Sequence, residues 1–496
     1  MNNSSETEPQ SFSAKVIIGA AYMVGTRFFV RLLGLFSVTI LARVLTPEDF
    51  GVFATAALVL AFFALIKDVG VSESIIKSEN TSKADLDTLW TLSFSLSVCT
   101  SILLIVFSGV IADFLKEPKL VDVLRLMAAV PILDCCYSPA SSLNVKNFRF
   151  GQEFILKSTD KLVRVLAVIG LALTLRSYWA LVYGALLASI FGAVVSQIAY
   201  PYLPRITLVN RDKFTSFALL AYLRGLARYV ANSVDELVVR ASENNALFGI
   251  YHVSKDLTRV LVIELIAPVG YALLPALVKL GDDAERFSLA LQNTISVYLL
   301  ATIAISFGII AVSDDLVLLM LGPQWTEAAY FLSLVAIGGA CTSLGDINQN
   351  IFISRDGAKL AAAFATARAI TFVVACLLAG LFWGPAAVAV AFSVSSVAVL
   401  MIELLYIFKS IGLGILGFKY LVRPLIAGGI MLISLQYLPD VTMLPLVVAL
   451  GIKAGTGALT YGVAIFLLWW VSGKPKGGEH TLIERLPSRL RKILLY

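Results

Sequence analysis

Apolar stretches of about 20 residues, the length a helix needs to cross a bilayer, recur along the whole chain and are separated by short polar segments. They fall at about 16–42, 50–66, 89–112, 121–141, 158–175, 177–200, 215–239, 247–275, 289–312, 326–351, 361–381, 385–408, 421–438 and 444–470. The pattern predicts fourteen membrane-crossing helices, with twelve or thirteen as the alternatives. Hydropathy alone does not establish the stretches at 215–239 and 247–275, because Arg224, Arg228, Asp235, Glu236, Lys255, Asp256, Arg259 and Glu264 interrupt them. The polar start, Met1 to Ala14, precedes an apolar run too long for the h-region of a signal peptide and carrying Arg27 and Arg31, so this run is read as a retained first helix.

Charge placement orients the layout. With the N-terminus in the cytoplasm, 24 of the 39 Lys and Arg residues fall on cytoplasmic segments and span edges, 5 fall on the opposite side, and the remaining 10 lie within spans. Lys and Arg concentrate on the cytoplasmic side of membrane proteins, so both termini are expected there and the span number is even. The six tryptophans, Trp90, Trp179, Trp325, Trp383, Trp469 and Trp470, each stand near a span end, where an interfacial aromatic belt is expected. No segment between spans exceeds about 25 residues, which leaves no room outside the membrane for a separate catalytic domain.

Composition changes the picture little but closes other classes. Of 496 residues 58% are hydrophobic and 15% charged, against about 25% charged in soluble proteins. That argues against a soluble enzyme, a disordered chain or a nucleic-acid binder. Cys99, Cys135, Cys136, Cys341 and Cys376 all lie in apolar stretches and are expected to be small buried hydrophobes. The neighbours Cys135 and Cys136 cannot bridge to each other without strain. His252 and His480 are the only histidines, so a histidine-based metal site is not expected; no cofactor is expected either.

The chain repeats itself. Tyr22-x-x-Gly25, Arg31, Arg43 and Phe50-Gly51 match Tyr222-x-x-Gly225, Arg228, Arg240 and Phe248-Gly249, and the run from Cys135 through Asn144 and Arg149 to Gly151 matches Cys341 through Asn350 and Arg355 to Gly357. Span 1 therefore maps onto span 7 and span 4 onto span 10. Six spans per half is an even number, so the halves share one orientation and are related by an axis along the membrane normal. This divides the chain into a cytoplasmic tail at 1–14, a six-helix bundle at 15–205, a second at 206–410, two further membrane helices within 411–471 and a basic cytoplasmic tail at 472–496. In that tail Arg485, Arg489, Arg491 and Lys492 accompany Leu486, Leu490, Leu494 and Leu495, so it lies on the anionic inner surface or is simply solvated.

A charge inside a span costs a few kcal/mol and faces a cavity or a partner. Arg27 and Arg31 share a helix face, as do Arg224 and Arg228 on the repeat-related span, with Asn232 and Asp235 extending it; Lys255 and Arg259 share a face with His252. One reading is a basic, water-filled cavity holding an anionic group, for which paired guanidinium forks suit phosphate or diphosphate. The other is that these cations pair with Asp235, Glu236, Asp256 and Glu264 or snorkel to an interface. Asp134, Asp235, Glu264 and Asp346 are candidates for coupling to a proton or sodium gradient, with local ion pairing as the plainer alternative. Glu403, near the end of its span, is read as interfacial. Pro131, Pro139, Pro268 and Pro275 are candidate kinks.

Leu41-Ala-Arg43-Val-Leu-Thr-Pro-Glu-Asp-Phe-Gly51, Asp68-Val-Gly-Val-Ser-Glu-Ser-Ile-Ile76 and Leu321-Gly-Pro-Gln-Trp325, with Phe248-Gly-Ile-Tyr251 and Leu274-Pro-Ala-Leu277, resemble segments of the Wzx-like polysaccharide transporters of the multidrug/oligosaccharidyl-lipid/polysaccharide exporter superfamily. The resemblance is diffuse, covers about 20 to 410, and is most specific in the first run. It implies an all-α polytopic fold of about 14 transmembrane helices, with two pseudo-symmetric six-helix bundles in a V shape plus two extra C-terminal helices. It implies a flippase in the bacterial inner membrane that moves undecaprenyl-diphosphate-linked oligosaccharide by alternating access for surface or exopolysaccharide synthesis. Its partners would be the lipid-linked oligosaccharide, membrane lipids, and a polysaccharide polymerase with its export machinery. Arg27 and Arg31 are compatible with a basic cavity of that kind.

Other readings fit less well. A cation-coupled small-molecule antiporter of the same superfamily would have a more apolar or acidic cavity. A major-facilitator transporter would carry a Gly-x-x-x-Asp-Arg-type loop after span 2, which is not seen. A membrane polymerase or ligase would need a sizeable periplasmic loop, and a scaffold would not need the costly intramembrane arginines. The predicted topology is checked with alkaline phosphatase fusions: a fusion after Lys116 is expected to be active, and fusions after Arg211 and after Tyr496 inactive.

Overall fold

The positions where helices begin follow from their first residues. Thr46 and Asp49 form a reciprocal cap: Thr46 N donates to Asp49 Oδ2 at 3.0 Å, and Asp49 N donates to Thr46 Oγ1 at 3.3 Å. Ser82 and Asp85 do the same at 3.1 and 3.2 Å. Each pair satisfies donors that a helix start leaves orphaned, an arrangement worth about 1 kcal/mol. Elsewhere Pro follows a glycine held at positive φ, Gly322 at 98° and Gly384 at 82°, a backbone that side chains disfavour.

The computed structural model describes residues 8–67, 82–141, 150–209, 212–263, 284–355, 358–439, 443–475 and 477–480. Its regular elements there are helical. They are α1 (Glu8–Val44), α2 (Pro47–Lys67), α3 (Lys83–Phe114), α4 (Lys119–Met127), α5 (Ala129–Cys135), α6 (Phe150–Leu175), α7 (Trp179–Ala199), α8 (Asp212–Ser242), α9 (Asn245–Thr258), α10 (Ala284–Met320), α11 (Thr326–Arg355), α12 (Ala358–Trp383), α13 (Pro385–Ser410), α14 (Lys419–Gln436) and α15 (Leu446–Val471). Among the described residues nine helices are long and apolar enough to cross a membrane. The protein is an all-helical, multi-pass membrane protein.

Several boundaries differ from the sequence reading. Helix α1 starts at Glu8, inside the stretch expected to be a tail. The fourth span is two helices, broken at Ala128, because Pro131 has no N–H for the Met127 carbonyl and its ring crowds that oxygen. Pro139 opens a short 3₁₀ turn, Pro139–Ser141. The eighth span passes into a π-helical turn at Arg259–Ile263. Pro268, Pro275 and Glu264 lie outside the described residues, as do all of the Asp68–Ile76 and Leu274–Leu277 segments and the 144–149 part of the internal repeat.

Two compact units divide the chain: Met1–Ser233 with Glu243–Gly249, and Val234–Ser242 with Ile250–Tyr496. In the first, α6 packs between α1 and α7, while α2, α3, α4 and α7 enclose Val52, Leu104, Leu120, Val123, Leu124 and Val182. The Thr46–Gly51 run ties this unit together. Glu48 pairs with Lys119 at 2.7 Å, and that hydrogen bond raises the Lys119 ammonium above its ordinary pKa. Asp49 Oδ1 accepts Tyr178 N at 2.8 Å at the entrance to α7, and Phe50 is buried.

Gly51 closes the knot. A Cβ there would stand 1.8 Å from Asn245 O, and a Cβ at Gly249 would stand 2.0 Å from Pro47 O. The repeat-related glycines thus each let their helix lie against the other's first turn. The local structure repeats too: Phe50 N donates to Thr46 O and Phe248 N to Asn244 O, and Asn244 Oδ1 caps α9 by accepting Leu247 N at 2.9 Å.

In the second unit α11 and α13 pack together with α12 alongside, and α14 and α15 lie against α10. Lys453 on α15 meets Asp315 on α10 at 2.5 Å. The first part of the segment after α15 is docked: Gly478 N donates to Ser296 Oγ at 2.9 Å, and Glu479 pairs with buried Arg423 at 3.2 Å. A buried guanidinium needs such a counter-charge. Arg485, Arg489, Arg491 and Lys492 lie outside the described residues. Trp325 and Trp469 are fully buried in protein, so neither belongs to an interfacial belt; the Trp469 indole donates to Pro475 O at 3.0 Å. Cys99 and Cys136, expected inside, are exposed, since lipid is an apolar surrounding for a thiol as much as a core is.

Overpacking a closed contact costs about 1–3 kcal/mol, more where the backbone itself blocks the new atom. Gly51→Val and Gly249→Val are each expected to lower the unfolding midpoint of detergent-solubilised protein by several degrees. Gly455→Ala, where nothing stands within 4 Å of the new methyl, is expected to leave it unchanged.

Candidate functional site

In the first unit Arg27 is exposed and Arg31 half-buried on α1. Their neighbour is α6, whose register is fixed by aromatic contacts. Phe154 packs against Tyr22 and Phe29 with ring centres 6.3 and 6.1 Å apart. Further along, the Lys161 ammonium rests 3.7 Å from where a Cβ of Gly34 would be. Lys161, within α6, thus lies against α1 at Gly34, three residues beyond Arg31. Helix α6 runs unbroken from Phe150, eight residues before the expected start of its span at 158, because its polar first turns fail a hydropathy window while still satisfying helix geometry.

Arg228 is exposed on α8, with exposed Asn232 one turn on. The Arg224 side chain lies outside the described residues. Asp134, at the end of α5, is exposed.

The second unit holds a different kind of site. Lys255 Nζ lies 2.7 Å from Asp235 Oδ1 and 3.0 Å from Glu236 Oε1. Tyr251 donates its hydroxyl to Asp235 Oδ2 at 2.8 Å, and His252 Nδ1 is 2.8 Å from Glu236 Oε2. The Phe392 ring on α13 lies beneath the ammonium, 5.6 Å away. Asp235 and Glu236 are buried at the C-terminal part of α8. Lys255 and Arg259 were expected to share a face; the π turn beginning at Arg259 changes the helical phase, so Lys255 points into the carboxylates while Arg259 is exposed.

A second ionic group joins α11, α12 and α13. Arg368 Nη2 meets Glu403 Oε1 at 2.6 Å and Arg368 Nη1 meets Asp346 Oδ1 at 3.4 Å. Asn348 donates to Glu403 Oε2 at 2.9 Å. Glu403 is therefore wholly buried, not interfacial, while Asp346 is exposed. The guanidinium lies across Gly345, where a Cβ would stand 2.0 Å from Nη2. Arg368 and Lys453 went unnominated in the sequence, although each interrupts an apolar run and a scan for intramembrane charge finds both.

Comparison with known proteins adds a family and a fold. The profile of the family described as "Polysaccharide biosynthesis protein" matches residues 40–330. The lipopolysaccharide biosynthesis protein WzxC of Escherichia coli (strain K12) is 21% identical over 77% of this chain and 78% of its own. The succinoglycan biosynthesis transport protein ExoT of Rhizobium meliloti (strain 1021) is 23% identical over 61% of each chain. Among solved structures, the lipid II flippase MurJ in an inward closed conformation superposes with a TM-score of 0.75 at 16% identity, covering 91% of this chain and 99% of that one.

Removing one partner of a buried ion pair costs about 3–5 kcal/mol, because the other charge is left bare. Lys255→Met is expected to lower the unfolding midpoint markedly. Adding Asp235→Asn to it is expected to recover part of the loss; thermal melts of the single and double variants read the difference.

Proposed function

The chain belongs to the polysaccharide biosynthesis protein family, and on that premise we propose that it is a flippase. It carries undecaprenyl-diphosphate-linked oligosaccharide repeat units from the cytoplasmic to the periplasmic leaflet of the bacterial inner membrane, by alternating access, for surface or exopolysaccharide synthesis. No bond is made or broken in such a step, so the protein is not an enzyme. Both termini face the cytoplasm, and a polymerase and export machinery take the product onward.

One observation supports this reading more than any other: Arg27 and Arg31 stand one turn apart on α1. Cations are costly in hydrocarbon. A row of them suits a substrate whose polar head carries phosphates and whose tail stays in lipid. Arg228, with Arg224 next to it in the same helix, supplies a second pair for the same head group, and Lys255 and Arg259 lie further along the chain. The names of WzxC and ExoT, a lipopolysaccharide biosynthesis protein and a succinoglycan transport protein, agree with such a substrate. A proton or sodium gradient would drive the cycle, and the buried Asp235 and Glu236 with His252 are its first candidates, ahead of Asp134, Glu264 and Asp346.

Deleting the gene in its host and analysing the undecaprenyl-linked lipids tests the reading. Full-length lipid-linked repeats trapped on the cytoplasmic side are the expected result. Translocated but unpolymerised repeats would point to a polymerase, and an unchanged lipid pool to a small-molecule antiporter. Arg27→Ala and Arg31→Ala are each expected to lower export about tenfold, the loss that follows from one charge-assisted hydrogen bond, with membrane insertion intact. Export unchanged in these and in Arg224→Ala and Arg228→Ala would sink the assignment of the site.

A further inference from the structure

We infer that Lys255 is a tethered substitute for an alkali cation: its ammonium fills a monovalent-cation site built by Asp235, Glu236 and Phe392, and removing it opens that site to sodium or potassium. The site lies within the second unit. Each carboxylate there has one oxygen engaged by a neighbour on α9, since Tyr251 donates its hydroxyl to Asp235 Oδ2 at 2.8 Å and His252 Nδ1 is 2.8 Å from Glu236 Oε2. The other oxygen of each, Asp235 Oδ1 and Glu236 Oε1, meets the same nitrogen, at 2.7 and 3.0 Å. Two oxygens from adjacent residues of α8 thus converge on one point. The centre of the Phe392 ring on α13 lies 5.6 Å from that point, and the face of an aromatic ring attracts a cation of any kind.

Two adjacent buried carboxylates repel each other and need a positive charge between them. A lysine supplies it as a compact point charge, without the planar fork that grips one carboxylate by both oxygens. Here the ammonium divides itself between two carboxylates, as a bare monovalent ion does. The other buried ionic group of this unit is built differently. Glu403 and Asp346 meet different nitrogens of Arg368, Nη2 at 2.6 Å and Nη1 at 3.4 Å, so no two oxygens share a point there.

A tethered cation cannot leave. An alkali ion held between these carboxylates could be taken up on one side of the membrane and released on the other, whereas the Lys255 ammonium stays attached to α9. The cluster therefore exchanges no sodium or potassium, and a sodium gradient would have to act elsewhere in the protein. That consequence rests on the flippase reading and its coupling to a gradient; the cation site itself does not. The Lys255 side chain is 19% exposed, so protein does not seal the cluster.

The test is the cation dependence of thermal melts of the purified full-length protein in detergent. Methionine keeps the lysine stem in length and vacates the nitrogen alone. The unaltered protein is expected to melt at one temperature in sodium, potassium and N-methylglucamine chloride at equal concentration, the last cation being too large for the site. Lys255→Met is expected to melt several degrees higher in about 150 mM sodium or potassium chloride than in N-methylglucamine chloride, because an ion that binds only the folded state stabilises it. Adding Asp235→Asn removes one of the two charges that would hold the ion and should abolish the difference. If Lys255→Met does not survive purification in N-methylglucamine chloride, its yield in the alkali chlorides reads the same effect. No alkali-specific gain in melting point or yield refutes the site, as does a gain that persists in the double variant. An alkali-specific gain in the unaltered protein that Asp235→Asn removes refutes the substitution of lysine for the ion. The readout is ion binding and not export, so each of these failures leaves the flippase reading standing. An unchanged lipid pool after gene deletion would sink that reading and leave the cation site untouched.

Discussion

Hydrocarbon does not tolerate a bare charge, and that constraint orders the interior of this protein. Asp235 and Glu236 are adjacent on α8, and their burial is tolerable because Lys255, Tyr251 and His252 converge on them. Glu403 is tolerable because Arg368 and Asn348 reach it. Arg423 draws Glu479 down from beyond the last helix. Each of these groups holds neighbouring segments together, so the second unit is fastened by charge as well as by side-chain packing.

The densest piece of the family resemblance coincides with the densest piece of structure. Within Thr46–Gly51 every residue has an identifiable task. Thr46 and Asp49 cap α2, Pro47 begins it, Glu48 holds Lys119, Asp49 also receives the backbone of Tyr178, and Phe50 fills the core. The run is an anchor for the ends of several helices, and none of its residues has to touch a substrate. This explains how a segment can mark a family of transporters without itself being a binding motif.

Helices were legible in the sequence because membrane spans leave a one-dimensional signal, and the repeat was legible because its glycines and aromatics serve equivalent contacts. Side-chain destinations were not. Trp325 and Trp469 look interfacial by position along a span, yet the surrounding helices bury them, and position along a span says nothing of that. Glu403 looks interfacial for the same reason, and its partner lies on a different helix. The start of α6 at Phe150 was missed because a hydropathy window discards its polar first turns, where helix geometry continues unchanged. Arg259 parted from Lys255 because a π turn shifts the phase, a feature no 3.6-residue periodicity anticipates.

The crossing of Gly51 and Gly249 has a further consequence, for how this contact would drift over generations. Many packed pairs can trade volume, one residue shrinking as its partner grows. Here each glycine faces the other helix's main chain, Asn245 O or Pro47 O, and a main-chain oxygen cannot become smaller. No change at one position can relieve a larger residue at the other. The two sites would therefore each stay fixed on their own, and a search for correlated substitutions would miss one of the closest helix contacts in the molecule.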